Sequence, residues 1–523
     1  MLRILFFFGL WMRLTVLPNA VVAIEGPDGL PPLSLREALF RGLEQNFDLL
    51  AERVNLPIGR EDVTVEEARF DPLADAVLSM EGERTPTASG SYVGPYARRR
   101  ELLAGVGLGK VFETGLAARL ALESSRLESN ADAARLDPEY RSYLVLDLRQ
   151  PLLRDAGGEV TTTDLRLADQ RLLQARFDYL DQAQRLAEEI ELAYFELARS
   201  HEILRLRIES RELARELLLG NNAKFEAGIV PVTEVQEAET AVAARDEQVV
   251  FARQQMETAA HQLKDLLEIT YNDPRASGSL LTEPLPGTDQ VRPDLETALA
   301  LALDSRPDLE RQRLEIASRD IRLAYQRNQR LPRLDLEATF GVNGLSGAAD
   351  GSGTIAARRQ SGDYWRSLDE AAQGDGYEWY AGLRLEYPLG NRAAEARYRR
   401  TGHEKRQALY RLKGLETTVE TEVRNALTAV ERGLERVLVA ERFQGLADVT
   451  LSQEMERLGE GLSDTFRVLD FQDDIIEARL RKVNALVDFN QGLAGLYRAM
   501  GANLERHGIL PISEDKDLAH DRN

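Results

Sequence analysis

The chain has 523 residues, with 66 Lys and Arg against 87 Asp and Glu, a formal net charge of −21, and no cysteine. So acidic a chain offers no basic surplus to displace counterions from a phosphate backbone, which argues against nucleic acid as a partner. The missing cysteine excludes a disulfide, a thiolate metal site, a Cys nucleophile and a lipid-anchored N-terminal Cys. The five histidines, at 201, 261, 403, 507 and 520, show no metal-ligand spacing, and no cofactor is expected. Length alone predicts about three domains.

Arg3 precedes the short apolar run Ile4-Leu5-Phe6-Phe7-Phe8-Gly9-Leu10-Trp11, and the small residues Ala20 and Ala23 offer a cleavage site. Residues 1–23 therefore read as a secretory signal peptide. No later segment holds the ~18 uninterrupted apolar residues of a transmembrane helix. If the mature chain meets a membrane, it does so as a β-barrel or from the surface.

The chain compares well with itself. Leu35, Ala38, Leu39, Asp48 and Leu49 recur 260 residues later as Leu295, Ala298, Leu299, Asp308 and Leu309, and Pro72 and Asp75 recur as Pro332 and Asp335. At an offset of 237, Tyr143, Leu146, Leu148, Pro151 and Leu152 match Tyr380, Leu383, Leu385, Pro388 and Leu389. At 233 the agreement becomes periodic. Leu186, Ile190, Ala193, Leu197 and Leu204 share one helical face, and Val419, Val423, Ala426, Val430 and Val437 take the corresponding places. Landmarks in the same order predict an internal duplication.

Each half reads as helix, strand region, then two long helices. Ser34-Leu35-Arg36-Glu37 is a capping box that opens the first helix, and Asp294 is the N-cap of its repeat. The helix from about Gly158 to Leu219 contains no proline and, at ~1.5 Å per residue, runs roughly 90 Å. Its charged residues predict side-by-side packing with water on the other faces. Tyr143 to Gln150 and Tyr380 to Tyr387 alternate in part between apolar and polar residues. That pattern fits a lipid-facing barrel strand and a half-buried soluble strand equally. Glycine-rich, polar Gly341 to Gly376 reads as mobile loop. Residues 105–122 read as an additional hairpin without a counterpart in the second half.

Two segments interrupt the helices in equivalent register. Phe225-Glu-Ala-Gly228-Ile229-Val230-Pro231-Val-Thr233-Glu234-Val235 stops one helix and starts another: Gly228 admits a left-handed cap, Pro231 blocks regrowth, and Thr233 or its neighbour caps the return. Gly461-Leu462 and Val468 repeat the arrangement. Together with Gln150-Pro151-Leu152-Leu153-Arg154 at the strand-to-helix junction, these tips resemble those of the TolC-like outer-membrane efflux proteins, over roughly Leu33 to Gly501.

The resemblance implies an α+β membrane protein in the bacterial outer membrane, extending into the periplasm. A homotrimer of duplicated chains would close a transmembrane β-barrel on a long-helix periplasmic α-barrel. It divides the chain into a first repeat at 24–270 (strands 70–150, helical hairpin 158–270), a linker at 271–293, a second repeat at 294–501 (strands 332–388, hairpin 392–501) and a disordered tail at 502–523. The implied function is that of the exit duct of a tripartite efflux or type I secretion system. It would be passive and not enzymatic, joined through a periplasmic adaptor to an inner-membrane pump of RND or ABC type and seated in outer-membrane lipid. By the same resemblance Gly228, Ile229, Val230, Thr233, Gly461 and Leu462 form the adaptor-docking tips, and Glu234, Asp464, Arg467 and Asp470 the periplasmic gate. Leu458, Ser463 and Arg467 depart from the family's gate positions, so a different closing network is expected, drawn from Arg457, Arg467, Asp464 or Asp470. The alternative reading, a periplasmic coiled-coil adaptor or scaffold, accounts for the helices and tips but not for the paired alternating strands.

Overall fold

The computed structural model describes residues 31–131, 136–276, 280–290, 292–349 and 355–509, Ala356 by its backbone only. The signal peptide expected at 1–23 lies outside them. In chain order the elements are helices α1 (Leu35–Gln45) and α2 (Phe47–Glu67), strands β1 (Leu73–Pro86), β2 (Tyr96–Val111), β3 (Ala117–Ser129) and β4 (Leu136–Pro151), and helices α3 (Gly158–Thr161), α4 (Thr163–Glu226) and α5 (Val232–Leu266). The series then repeats in kind: α6 (Leu295–Ser305), α7 (Pro307–Asn328), β5 (Arg333–Ala349), α8 (Ile355–Arg359), α9 (Tyr364–Gln373), β6 (Gly376–Glu386), α10 (Arg392–Gly459), α11 (Thr465–Ala499) and α12 (Asn503–Arg506).

Local chemistry sets the helix starts. Ser34 Oγ accepts from the Glu37 N–H at 3.1 Å, the bond the capping box predicts. The Asp294 carbonyl accepts from the Ala298 N–H at 2.9 Å, and its carboxylate takes the Thr297 hydroxyl at 2.5 Å. No helix is long and apolar enough to cross a membrane among the described residues.

The described residues divide into two compact units, one falling within 31–49, 183–299 and 422–509, the other within 50–182 and 300–421, where length alone predicted about three domains. Helices α4 and α10 each contribute residues to both units, so neither unit is a continuous stretch of sequence. In the first unit the periodic faces read from the sequence become core: Leu186, Ile190, Leu197, Val423, Val430 and Val437 are buried. The end of the chain docks there too. The His507 imidazole meets the buried Glu191 carboxylate at 2.6 Å, and the Asn503 amide donates to the Gln184 carbonyl at 2.7 Å. The tail expected to be disordered from 502 is therefore folded as far as 509, because Leu504 finds apolar cover and the polar groups find partners. Residues 510–523 lie outside the described ones.

The second unit holds a six-stranded antiparallel meander in the order β1-β2-β3-β4-β5-β6. The expected extra hairpin is β2–β3, and it lies within the sheet: Val77 pairs with Gly105, Gly105 with Glu123 and Glu123 with Tyr143. Strand alternation gives the two faces different residues over the middle of the sheet. One face carries Leu78 and Met80 of β1, Leu144 of β4, Phe340 of β5, and Trp379 and Leu383 of β6, all of them exposed. The opposite face carries an ion-paired ladder: Arg119 with Asp75 (2.8 Å), Arg149 with Asp335 (2.8 Å), and Arg384 with Glu337 (3.3 Å).

Gly341 to Gly376 differs from the loop expected there. Strand β5 continues to Ala349, and α9 packs on the sheet above the apolar face. The small residues serve close approach: a Cβ on Gly344 would lie 1.9 Å from the Ser367 carbonyl oxygen. Ser142 and Ser367 share a hydroxyl bond at 2.7 Å, and the Tyr364 hydroxyl donates to Ser124 at 3.1 Å. Asp363 caps α9 by accepting the Arg366 N–H, and Gly374 ends it in the left-handed conformation.

Half-burial in the first unit holds the Glu188 carboxyl above the usual carboxylate range; Arg498 opposes this, while Glu191, Glu189 and Glu422 add to it. A carboxyl raised on folding stabilises fully below its unfolded pKa, and that contribution is lost as pH rises through the folded value. Glu188→Gln is therefore expected to melt at a higher temperature than the parent at pH 7–8 and to match it near pH 4, read as Tm against pH.

Candidate functional site

The two hairpin tips are built alike. At the first, the Ile229 N–H donates to the Lys224 carbonyl (2.8 Å) and the Gly228 N–H to Phe225 (2.9 Å). At the second, Leu462 donates to Arg457 (2.8 Å) and Gly461 to Leu458 (3.2 Å). Both are Schellman motifs, and both glycines have φ of +72°, a conformation that costs other residues strain. Ile229 and Leu462 project from the turns, 71% and 64% exposed, and Val230 is half-buried.

The helices restart differently. Pro231 is the N-cap of α5, with no side-chain cap bond. Thr233 therefore does not cap the returning helix; it is exposed within the first turn, one residue past the helix start at Val232. At the second tip Asp464 is a true cap, accepting the Arg467 N–H at 2.9 Å.

Three polar groups join the tips. Glu234 accepts the Thr465 N–H at 3.1 Å, and the buried Asn221 amide donates both to the Thr465 hydroxyl (2.7 Å) and to the Glu234 carbonyl oxygen (3.0 Å). A turn of helix away, Glu454 is a buried carboxylate that receives Arg457 at 3.2 Å, Arg467 at 3.5 Å and the Ser463 hydroxyl. Deeper between α5 and α11, the buried Arg245 guanidinium donates to the Ser210 carbonyl (3.1 Å), Gln472 (2.8 Å) and Asp473 (2.8 Å). Asp470 is exposed on the wall of the groove between the same helices, near Thr233, Gln236 and Phe466.

Of the residues singled out from the sequence, Glu234 and Arg467 thus enter side-chain networks and Asp464 serves as a cap. Asn221, Arg245 and Glu454 were not foreseen. Spacing holds a signal for two of them. Arg245 falls in the seven-residue series Ala238, Arg245, Ala252, Ala259, and Glu454 in the series Ala440, Ala447, Glu454, all buried. A charge in step with a buried apolar seam is a charge with a partner.

Residues 298–502 match the family model described as outer membrane efflux protein. The chain resembles the outer membrane efflux proteins. Solved structures share the fold: the outer-membrane channel OprN, at 19% identity over 90% of each chain and a TM-score of 0.63; the CmeC outer membrane channel of Campylobacter jejuni, at 16% identity over 93% of this chain and 88% of that one, with 0.62; and the Neisseria gonorrhoeae MtrE channel in its open state, at 17% over 90% and 89%, with 0.60. At such identities the likeness carries the fold alone. No curated protein sequence matches. The family match and the shared fold bear out the resemblance read from the tips. The matched family is one of efflux ducts rather than a class of enzymes.

Removing the charge of Glu454 leaves two arginines and a hydroxyl sharing a weaker acceptor, at a cost of about 1–3 kcal/mol. Glu454→Gln is expected to raise amide hydrogen exchange at 454–470 by about tenfold or more, since each 1.4 kcal/mol is a factor of ten. Glu456→Gln, on the exposed side of the same turn, is the control and leaves exchange unchanged.

Proposed function

We propose that three copies of this chain form the exit duct of a tripartite efflux or type I secretion system. Cargo from an inner-membrane pump, of RND or ABC type, would arrive through a periplasmic adaptor and leave passively through water. The observation that carries this reading is the two-faced sheet with open edges. Its apolar face is exposed, its polar face is ion-paired, and β1 and β6 each have one neighbour. From Tyr377 to Leu385 the apolar run of β6 covers nine residues, which at ~3.3 Å each and ~40° tilt gives roughly 23 Å of height, close to the apolar band of an outer-membrane barrel. Lipid offers no hydrogen bonds to an open edge, so the wall requires further copies.

At the tips, Ile229 and Leu462 are small apolar patches suited to an adaptor, with Gly228, Val230, Thr233 and Gly461 shaping them. The link through Glu234 and Thr465 holds the hairpins together as a closed gate, the one through Arg467 and Glu454 braces the second hairpin itself, and Asp464 caps its inner helix. Asp470 of three copies supplies an acidic ring at the opening.

The duct reading expects a heat-modifiable oligomer in the outer-membrane fraction; recovery as a soluble protein favours the adaptor reading. Leu383→Arg sets a charge on the apolar face, costing about 2–4 kcal/mol per copy near mid-bilayer, and is expected to abolish the folded band, whereas Glu378→Arg on the polar face keeps it. Asp470→Lys is expected to shift conductance in planar bilayers from cation preference toward anion preference; unchanged selectivity removes Asp470 from the gate.

A further inference from the structure

The sheet has six strands, and the repeated landmarks account for four of them. Pro72 and Asp75 precede and open β1 as Pro332 and Asp335 do β5, and Tyr143 to Leu148 of β4 recur as Tyr380 to Leu385 of β6. Hairpin β2–β3 has no counterpart, yet it is fully laddered between β1 and β4. It therefore adds to the wall.

The same landmarks say what covers the open edges. Within one copy, β4 of the first half pairs with β5 of the second. The equivalent junction, second half to first half, is β6 against β1, and one chain cannot make it while four strands lie between them. We propose that β6 pairs with β1 of a neighbouring copy in the register of the β4–β5 ladder, so that three copies close an eighteen-stranded barrel. This rests on the trimeric duct reading above and adds to it the strand count and the register.

The register follows from numbers already fixed. In the β4–β5 ladder Asp147 lies opposite Thr339, Leu146 opposite Phe340 and Leu148 opposite Ala338. Moving β4 by 237 and β5 by 260 sets Arg384 opposite Ser79 of the neighbouring copy, Leu383 opposite Met80 and Leu385 opposite Leu78. Three independent features agree with it. An even number of strands makes β6 run opposite to β1, so the junction is antiparallel like every other in the sheet. The apolar residues of β6 (Trp379, Leu383, Leu385) then continue onto those of β1 (Met80, Leu78), where a slip of one residue would put them on the polar face. On the polar face Arg384 comes diagonal to Glu81, within reach of its long side chain.

Barrel diameter grows about linearly with strand number, so eighteen strands give a mouth roughly half again as wide as the twelve that four strands per copy would close. Barrels of 16–18 strands leave an aqueous channel.

The chain has no cysteine, so engineered pairs report without background. Directly opposed Cβ atoms lie about 4.5–5.5 Å apart and close to a disulfide with little movement, whereas diagonal ones at about 7–8 Å do not. Oxidised Met80→Cys/Leu383→Cys is expected to run as covalent dimer and trimer on a non-reducing gel, and Met80→Cys/Leu385→Cys to stay monomeric. Ser79→Cys/Arg384→Cys provides the same test on the other face should the first pair not fold. Electron cryo-microscopy of the unmodified oligomer is expected to show eighteen strands. A detergent-stable trimer with twelve strands, or one that crosslinks only through the diagonal pair, overturns the inference and leaves the duct standing. A monomer by light scattering in detergent sinks both.

Discussion

An amide or carbonyl that cannot reach water must find its partner in protein, and this requirement shapes the β half of the molecule more than any side chain does. The sheet meets it internally for β2 through β5 and leaves it unmet along one side each of β1 and β6. A soluble protein blunts such edges with charges, prolines or short strands. Here β1 runs 14 residues and β6 runs 11, long enough to act as templates. The two-faced chemistry then restricts the partner. Apolar residues on one side and an ion-paired ladder on the other admit only a strand with the same alternation, and the chain itself supplies one.

The helical half meets a different constraint, that of holding two hairpins in register. Alanines at seven-residue steps along α5 bring it close to α11, and little apolar area is buried per step. Arg245 stands in that seam and spends its donors on a backbone carbonyl, an amide and a carboxylate of the facing elements. Its partner Asp473 is largely exposed, so the pair is partly screened and the desolvation cost falls mainly on the arginine. Small residues and fixed polar partners specify a register more than they glue it. At the tip itself, the Glu454 cluster belongs to the second hairpin alone, while Asn221, Glu234 and Thr465 cross between hairpins. Stiffening within each arm is thus separate from locking between arms.

Much of this was legible in the residue order. Periodicities of 3.6 and 2 and the capping box at Ser34 located helices and strands, and Gly228 and Gly461 fell where the turns need positive φ. What escaped was chemistry that local pattern does not encode. Glycines and serines in 341–376 read as loop because those residue types favour turns; their use for seating α9 depends on contacts from Ser124 and Ser142, more than 200 residues earlier. Glu454 and Arg245 drew no notice because charges on long helices are usually solvated, and only their heptad phase marks them as inward. The tail from 502 was expected to be disordered, while its folded part is held by Glu191 and Gln184, which no window around it contains.

Departures from the resemblance follow the same logic. A closing network need only satisfy the buried groups at its own tip, so which residues do it can drift so long as each donor keeps an acceptor. Ser463 and Leu458 at the second tip are among the residues that depart from the resemblance. Glu454, on α10 of the same hairpin, fills the place: one carboxylate accepts from Arg457, Arg467 and Ser463 together, so replacing any one of these three leaves the other two with their partner. A hub of that kind tolerates drift around it and not at its centre, which makes the buried carboxylate, rather than any exposed charge at the tip, the residue on which the geometry of the second hairpin depends.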